Sequence, residues 1–140
     1  MASIYKDIRA AFETELSGTS GIPDISYENL KYSRSAGTQF VEAQLIPTER
    51  KPAVRGTNPQ YRYEGIFRVI CYSPEGEGPG AADTLADLVL DAFPSATDIS
   101  YTNTDPTTYK VSLDYSEREA GGIEGSFYYV PVNIGFYIYN

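Results

Sequence analysis

Gly76-Glu77-Gly78-Pro79-Gly80-Ala81 is the stretch of this chain that comes nearest to a known binding chemistry. It fits G-x-G-x-x-G/A, the pattern in which glycine amides and a helix N-terminus cradle a pyrophosphate. Two features oppose that reading. Glu75 and Glu77 would repel phosphate, and the residues before the motif alternate polar with apolar, whereas a buried parallel strand is continuously apolar. The glycines therefore read as a turn, with Gly80 as N-cap of a following helix and Asp83 in its first turn, where a carboxylate suits the helix dipole.

Other chemistry is sparse. With 0 His the chain lacks the commonest general base and metal ligand, and with 1 Cys it cannot form an internal disulfide. Cys71 falls inside a strand pattern and reads as a small buried hydrophobe instead of a nucleophile. No G-x-S-x-G elbow occurs. Glu117 and Glu119 are close in sequence but are read in a loop with Gly121-Gly122, where acid/base spacing is hard to hold. The expectation is a non-enzyme with no catalytic residue, no cofactor and no metal site.

Two charged constellations remain. Asp83, Asp87 and Asp91 recur at helical spacing, which makes a solvated face, an acidic surface for a partner or a lining past which DNA slides. Like charges one turn apart are mildly destabilising, and carboxylates so placed with no second cluster make a poor metal cage. The stretch from Pro47 to Gln60 carries Arg50, Lys51 and Arg55 against Glu49. It is long for a hairpin connection, and long loops in compact domains are usually functional or mobile. The three basic and three acidic residues together form the candidate subunit interface, the loop of one copy meeting the stripe of the next.

The elements that must position these groups follow from periodicity. Residues 3 to 17 place Ile4, Ile8, Phe12 and Leu16 at i,i+4 spacing, an amphipathic helix stopped by Ser17-Gly18. A short strand is predicted around Ile25, Tyr27 and Asn29, and another over 38 to 46, where Val41, Ala43 and Leu45 alternate with Glu42 and Gln44. In residues 61 to 72 Tyr63, Phe67, Val69 and Cys71 share one face. These two strands predict a hairpin with Pro47 to Gln60 as its loop. Residues 80 to 93 predict a second helix, burying Ala81, Leu85, Leu88, Val89 and Ala92 and ending at Phe93-Pro94. Strands are expected at 99 to 102 and 108 to 115. The clearest strand is the last, where Val130, Val132, Ile134, Phe136 and Ile138 alternate with Tyr129, Pro131, Asn133, Gly135 and Tyr137. The fold class is α+β: a mixed, largely antiparallel sheet packed by two helices, with a long hairpin loop.

At 140 residues, with 41% hydrophobic and 21% charged, the chain suits one domain spanning 1–140 with a real core. Residues 1 to 70 hold nine Lys/Arg and eight Asp/Glu, and residues 71 to 140 hold two and eleven, a net of +1 and then −9. So acidic a surface repels a nucleic-acid backbone, and sequence-specific DNA reading is not expected. The opening residues lack the pattern of a signal peptide and no apolar run approaches bilayer length, so a cytosolic protein with no membrane partner is expected. Thirteen tyrosines, mostly in or beside strands, suit a sheet whose outer face meets something.

The succession resembles the tail terminator family of long-tailed bacteriophages. The likeness spans nearly the whole chain and runs through the N-terminal helix, Pro23 with Tyr27-Glu28-Asn29, and Gly37-Thr38. It continues in Tyr61-Arg62-Tyr63-Glu64-Gly65-Ile66-Phe67-Arg68-Val69, Pro74-Glu75-Gly76-Glu77-Gly78, Phe93-Pro94 and Tyr129-Val130-Pro131-Val132. Where family members often show Trp-x-Asn, this chain has Tyr27-Glu28-Asn29. The resemblance implies a structural virion protein at the head-proximal end of the tail, present in the host cytoplasm during assembly. It implies a ring, typically of six subunits, that stops the tube and offers a surface to the head. The implied partners are further copies of itself, the tail tube protein and the head–tail connector protein. Two alternatives stand beside it: a head completion or neck protein, and a small nucleotide-binding module using the Gly76 to Ala81 turn.

Overall fold

The computed structural model describes residues 4–30, 32–33, 37–56, 59–104 and 106–140. Its elements are α1 (Ile4–Ser17), β1 (Asp24–Ser26), β2 (Phe40–Pro52), β3 (Tyr61–Pro74), α2 (Gly80–Ala92), β4 (Asp98–Thr102), β5 (Thr108–Arg118), β6 (Gly122–Glu124) and β7 (Phe127–Tyr139). One sheet runs in the order β1-β2-β3-β7-β5-β4, with β6 also paired to β7. Among the described residues β1 and β2 pair in parallel and the other pairs are antiparallel. This is the expected α+β class.

Alternation on β2, β3 and β7 sends one set of side chains to the helices and the other outward. Val41, Ala43, Phe67, Val69, Cys71, Val130, Val132 and Ile134 are buried in the main core. Both helices cover that face because each offers one apolar stripe. On α1, Ile8, Ala11, Phe12 and Leu16 are buried. Phe12 stacks on Phe67 at 4.7 Å between ring centroids and also meets Phe136 at 5.2 Å and Phe93 at 5.6 Å. Asp7 is buried on α1 and accepts a hydrogen bond from Asn103 Nδ2 at 3.0 Å, which ties the helix to the β4–β5 turn. The outer face carries a smaller cluster in which Phe40 stacks on Tyr72 at 4.4 Å, with Phe127 edge-on.

Gly65 marks a close approach. A Cβ there would lie 2.7 Å from both the Ile46 carbonyl oxygen and Cζ of Phe136. The missing side chain lets the Phe136 ring cross its register partner on β3, so any larger residue would displace either the ring or β2.

Several expectations need correction. The predicted loop from Pro47 to Gln60 is mostly strand: β2 passes a bulge between Pro47 and Glu49 and keeps pairing with β3 as far as Pro52 opposite Tyr61. Its last seven residues are exposed, so no apolar alternation announces them. The bend from Ala53 to Gln60 is closed by Ala53 N donating to Gln60 O at 2.6 Å, and Thr57 and Asn58 lie outside the described residues. Ser3, the predicted helix start, also lies outside them.

The strand around Ile25 ends at Ser26, because Asn29 turns into the left-handed region at φ 58°. The face α2 buries is Ala82, Leu85, Ala86 and Val89, while Leu88 and Ala92 pack from its flank. Leu85 and Val89 are common to both stripes, and the buried face is rotated from Ala81 and Leu88 towards Ala82 and Ala86. Pro79, not Gly80, is the N-cap residue, with no side-chain cap hydrogen bond. Strand β5 extends to Arg118, so Glu117 lies on a strand and not in a loop.

Candidate interaction surfaces

The bulged end of the β2–β3 hairpin, widened by the end of β7, forms an arm. Lys51 is registered with Arg62, and Arg62 with Tyr139. Alternate positions on these strands place arginines over tyrosines. The Arg50 guanidinium lies 3.8 Å from the Tyr61 ring centroid and donates through Nε to the Tyr63 hydroxyl at 3.2 Å. Arg62 lies 4.2 Å from the Tyr137 centroid and donates to the Tyr139 hydroxyl at 2.7 Å. Cation–π contacts of this kind order arginines that would otherwise sweep through solvent. Arg62 also pairs with Glu64 and holds that carboxyl below the usual carboxylate range. Lys51 pairs with Glu49 at 3.6 Å, and Arg55 stands exposed at the tip.

The arm is kept from adding strands at random. Among the described residues, the edge of β2 beyond Glu42 has no strand neighbour. There Leu45 N donates to Glu28 Oε1 at 2.5 Å, and Glu28 is itself held by Arg9 at 3.5 Å. Pro47 and Pro52 have no amide proton to offer, and the bulge between them breaks the register. These are the devices by which natural proteins blunt an exposed sheet edge.

On α2, Asp83 is paired within the chain to Arg118 at 2.5 Å, while Asp87 and Asp91 are exposed. Among the described residues no ion pair joins the basic trio to the acidic trio inside one chain. Two tyrosine pairs on opposite faces of the arm, Tyr61 with Tyr63 under Arg50 and Tyr137 with Tyr139 under Arg62, were missed from sequence. Their signal was present, as tyrosines at every second position on two strands.

Within the Gly76 to Ala81 stretch, residues 76–79 form a turn, with Gly76 at φ 91° and Gly78 at φ 75°, and Gly80 and Ala81 open α2. The strand before it is antiparallel to both neighbours, unlike the parallel strand that a dinucleotide fingerprint requires. Among the described residues no group of three or more His, Cys, Asp or Glu stands close enough to hold a metal, and no helix is long and apolar enough to cross a membrane. Glu119 accepts from Asn133 and pairs with Arg68 at 3.4 Å on the outer face.

Cys71 is fully buried, and burial pushes its thiol up to about 12. An unfolded cysteine titrates near 8.5. Between those values the folded chain holds a proton that the unfolded chain has released, so this group's contribution to stability is lost as pH rises from about 8.5 towards 12. Iodoacetamide at pH 8 should leave Cys71 unmodified in the folded protein and alkylate it fully in denaturant, as read by mass. Rapid labelling of the folded chain would contradict this burial.

These features define a small α+β protein with a charged arm and a blunted sheet edge. The family model described as "Phage tail terminator protein" matches residues 7–136. The chain belongs to the phage tail terminator family and is a structural component of phage tail assembly. A solved structure with a TM-score of 0.71 and 21% identity covers 96% of this chain and 94% of its own, a likeness that shows the fold alone. No curated protein matches this chain.

Proposed function

We propose that this protein caps the head-proximal end of the tail tube as a ring, stops tube polymerisation and presents a surface for head joining. The family match across residues 7–136 carries the reading. Support comes from an arm that presents ordered arginines and a sheet edge protected against open-ended strand addition. A cap must accept the tube on one side and refuse further tube subunits on the other. Its partners in this account are further copies of the chain, six to a ring as the family likeness implies, the tube protein and the head–tail connector. Gold label directed to this chain on isolated tails should mark one end only. Label spread along the tube would refute the cap.

Contacts between copies set Arg50, Lys51 and Arg55 on the arm against an acidic surface of a neighbour that includes the α2 stripe of Asp83, Asp87 and Asp91. Exposed ion pairs are individually weak, so the contact depends on several acting together around a ring. Replacing all three basic residues by Ser should lower the thermal midpoint only slightly, because Lys51 and Arg55 are exposed and the contacts of Arg50 with Tyr61 and Tyr63 are made at an exposed site, where such contacts are weak. It should weaken assembly, more so at raised salt, where screening shortens the reach of the remaining charges. Capped tails at the parent's level from the triple variant would make the arm's charge a bystander.

A further inference from the structure

Two of the most exposed apolar side chains stand at opposite ends of the strands. Val54 is 62% exposed at the arm tip, and Ile123 is 68% exposed on β6. Val54 lies between Lys51 and Arg55, both exposed. Ile123 lines a groove of about 420 Å³ together with Glu75, Gly76, Gly78, Pro79 and Tyr128. The register fixes the ends: Tyr61 and Tyr63 on β3 belong to the arm, whereas Pro74 pairs with Phe127 beside the groove.

The groove's rim is acidic. Glu75 lines it, Glu77 is exposed in the same turn, and Glu124 follows Ile123 and accepts a hydrogen bond from the Tyr72 hydroxyl. Glu75 and Glu77 have no ion-pair partner among the described residues. An apolar floor with a carboxylate rim therefore faces one way, and an apolar tip with a cationic collar faces the other.

We infer that the arm tip of one copy seats Val54 in the Pro79–Ile123–Tyr128 groove of a second copy, with Lys51 and Arg55 against Glu75 and Glu77. The chain's own tip cannot fill its own groove. β3 is 14 residues long, so at about 3.3 Å per residue its ends stand roughly 40 Å apart. The contact joins two different patches, which is the head-to-tail kind that closes into a ring when the rotation between copies allows. A second hollow, lined by Glu13, Thr14, Ser17, Tyr27 and Leu30, fits the tip less well. Its one lining carboxylate, Glu13, already interacts with Arg9 of the same helix. The inference rests on the reading that copies of this chain associate on the tail, and it names the surfaces they use.

The test is a cysteine pair in assembled tails. Tails carrying Val54→Cys plus Ile123→Cys are treated with a mild oxidant, which takes the two thiol protons and two electrons as the disulfide forms. Non-reducing gels should show a ladder of multimers of this chain, and Val54→Cys alone or Ile123→Cys alone should show none. Monomer only, in tails that carry the double variant at the parent's level, overturns the contact while leaving the capping reading intact. Absence of the parent chain from tails overturns the capping reading instead. Should the cysteine variant not enter tails, charge exchange decides. Lys51→Glu with Arg55→Glu should lower capped tails at least tenfold, and adding Glu75→Lys with Glu77→Lys should restore them. No restoration overturns the contact.

Discussion

Tails assembled without this protein are expected to run past their normal length and to fail to join heads. Under the capping account nothing else occupies the growing end, so tube subunits continue to add while they last. The surface that heads recognise is missing from every tail as well. The effect should therefore be close to complete: a broad distribution of tail lengths, tailless heads beside them and almost no infectious particles. Negative-stain images of lysates from a deletion mutant read all three at once. Tails of normal length in that mutant would remove length control from the account, and normal tails that still fail to bind heads would leave head joining alone.

The largest expected loss of stability is at Phe12. Its ring lies in the middle of the core, fully buried and packed on Phe67, Phe93 and Phe136. No neighbouring side chain can fill the space, because the same rings pin each other from three elements. Phe12→Ala should cost about 3–5 kcal/mol, a large part of the roughly 5–15 kcal/mol that holds a domain folded. Urea unfolding should show a much lower midpoint at an unchanged slope. A loss under about 1 kcal/mol would mean that α1 does not pack as described.

What could be read from the sequence follows from where solvent lies. β3 and β7 are legible because one face is core and the other is largely not, so Phe67, Val69 and Cys71, and Val132, Ile134 and Phe136, alternate with polar or half-exposed neighbours, except at Gly135, which the Tyr115 ring covers. The arm is not legible for the same reason. Beyond Ile46 both faces of β2 meet water, and Pro47 and Pro52, which punctuate loops elsewhere, sit here on an unpaired edge where they are tolerated. α2 is legible as a helix, but its buried face turns towards Ala82 and Ala86, whose small side chains are weak markers of a buried stripe beside Leu88. β6 is three residues long, too short to carry a period.

The candidate interface divides in the same way. The charges of Arg50, Lys51, Arg55, Asp83, Asp87 and Asp91 are visible as residue types, but their internal commitments are not. Arg50 is spent on Tyr61 and Tyr63, and Asp83 on Arg118. Both arise from pairings between strands and helices far apart in sequence. Ile123 gave no signal, since its exposure depends on a strand too short to foresee.

Growth of purified tail tubes in the presence of this chain tests the central claim most directly. Tube subunits are supplied in excess, and lengths are followed by electron microscopy before and after the chain is added. The capping account predicts that elongation stops within the time needed to fill the ends, with added density at one end of each tube. Tubes that continue to lengthen at the original rate while the chain is bound to them would contradict it.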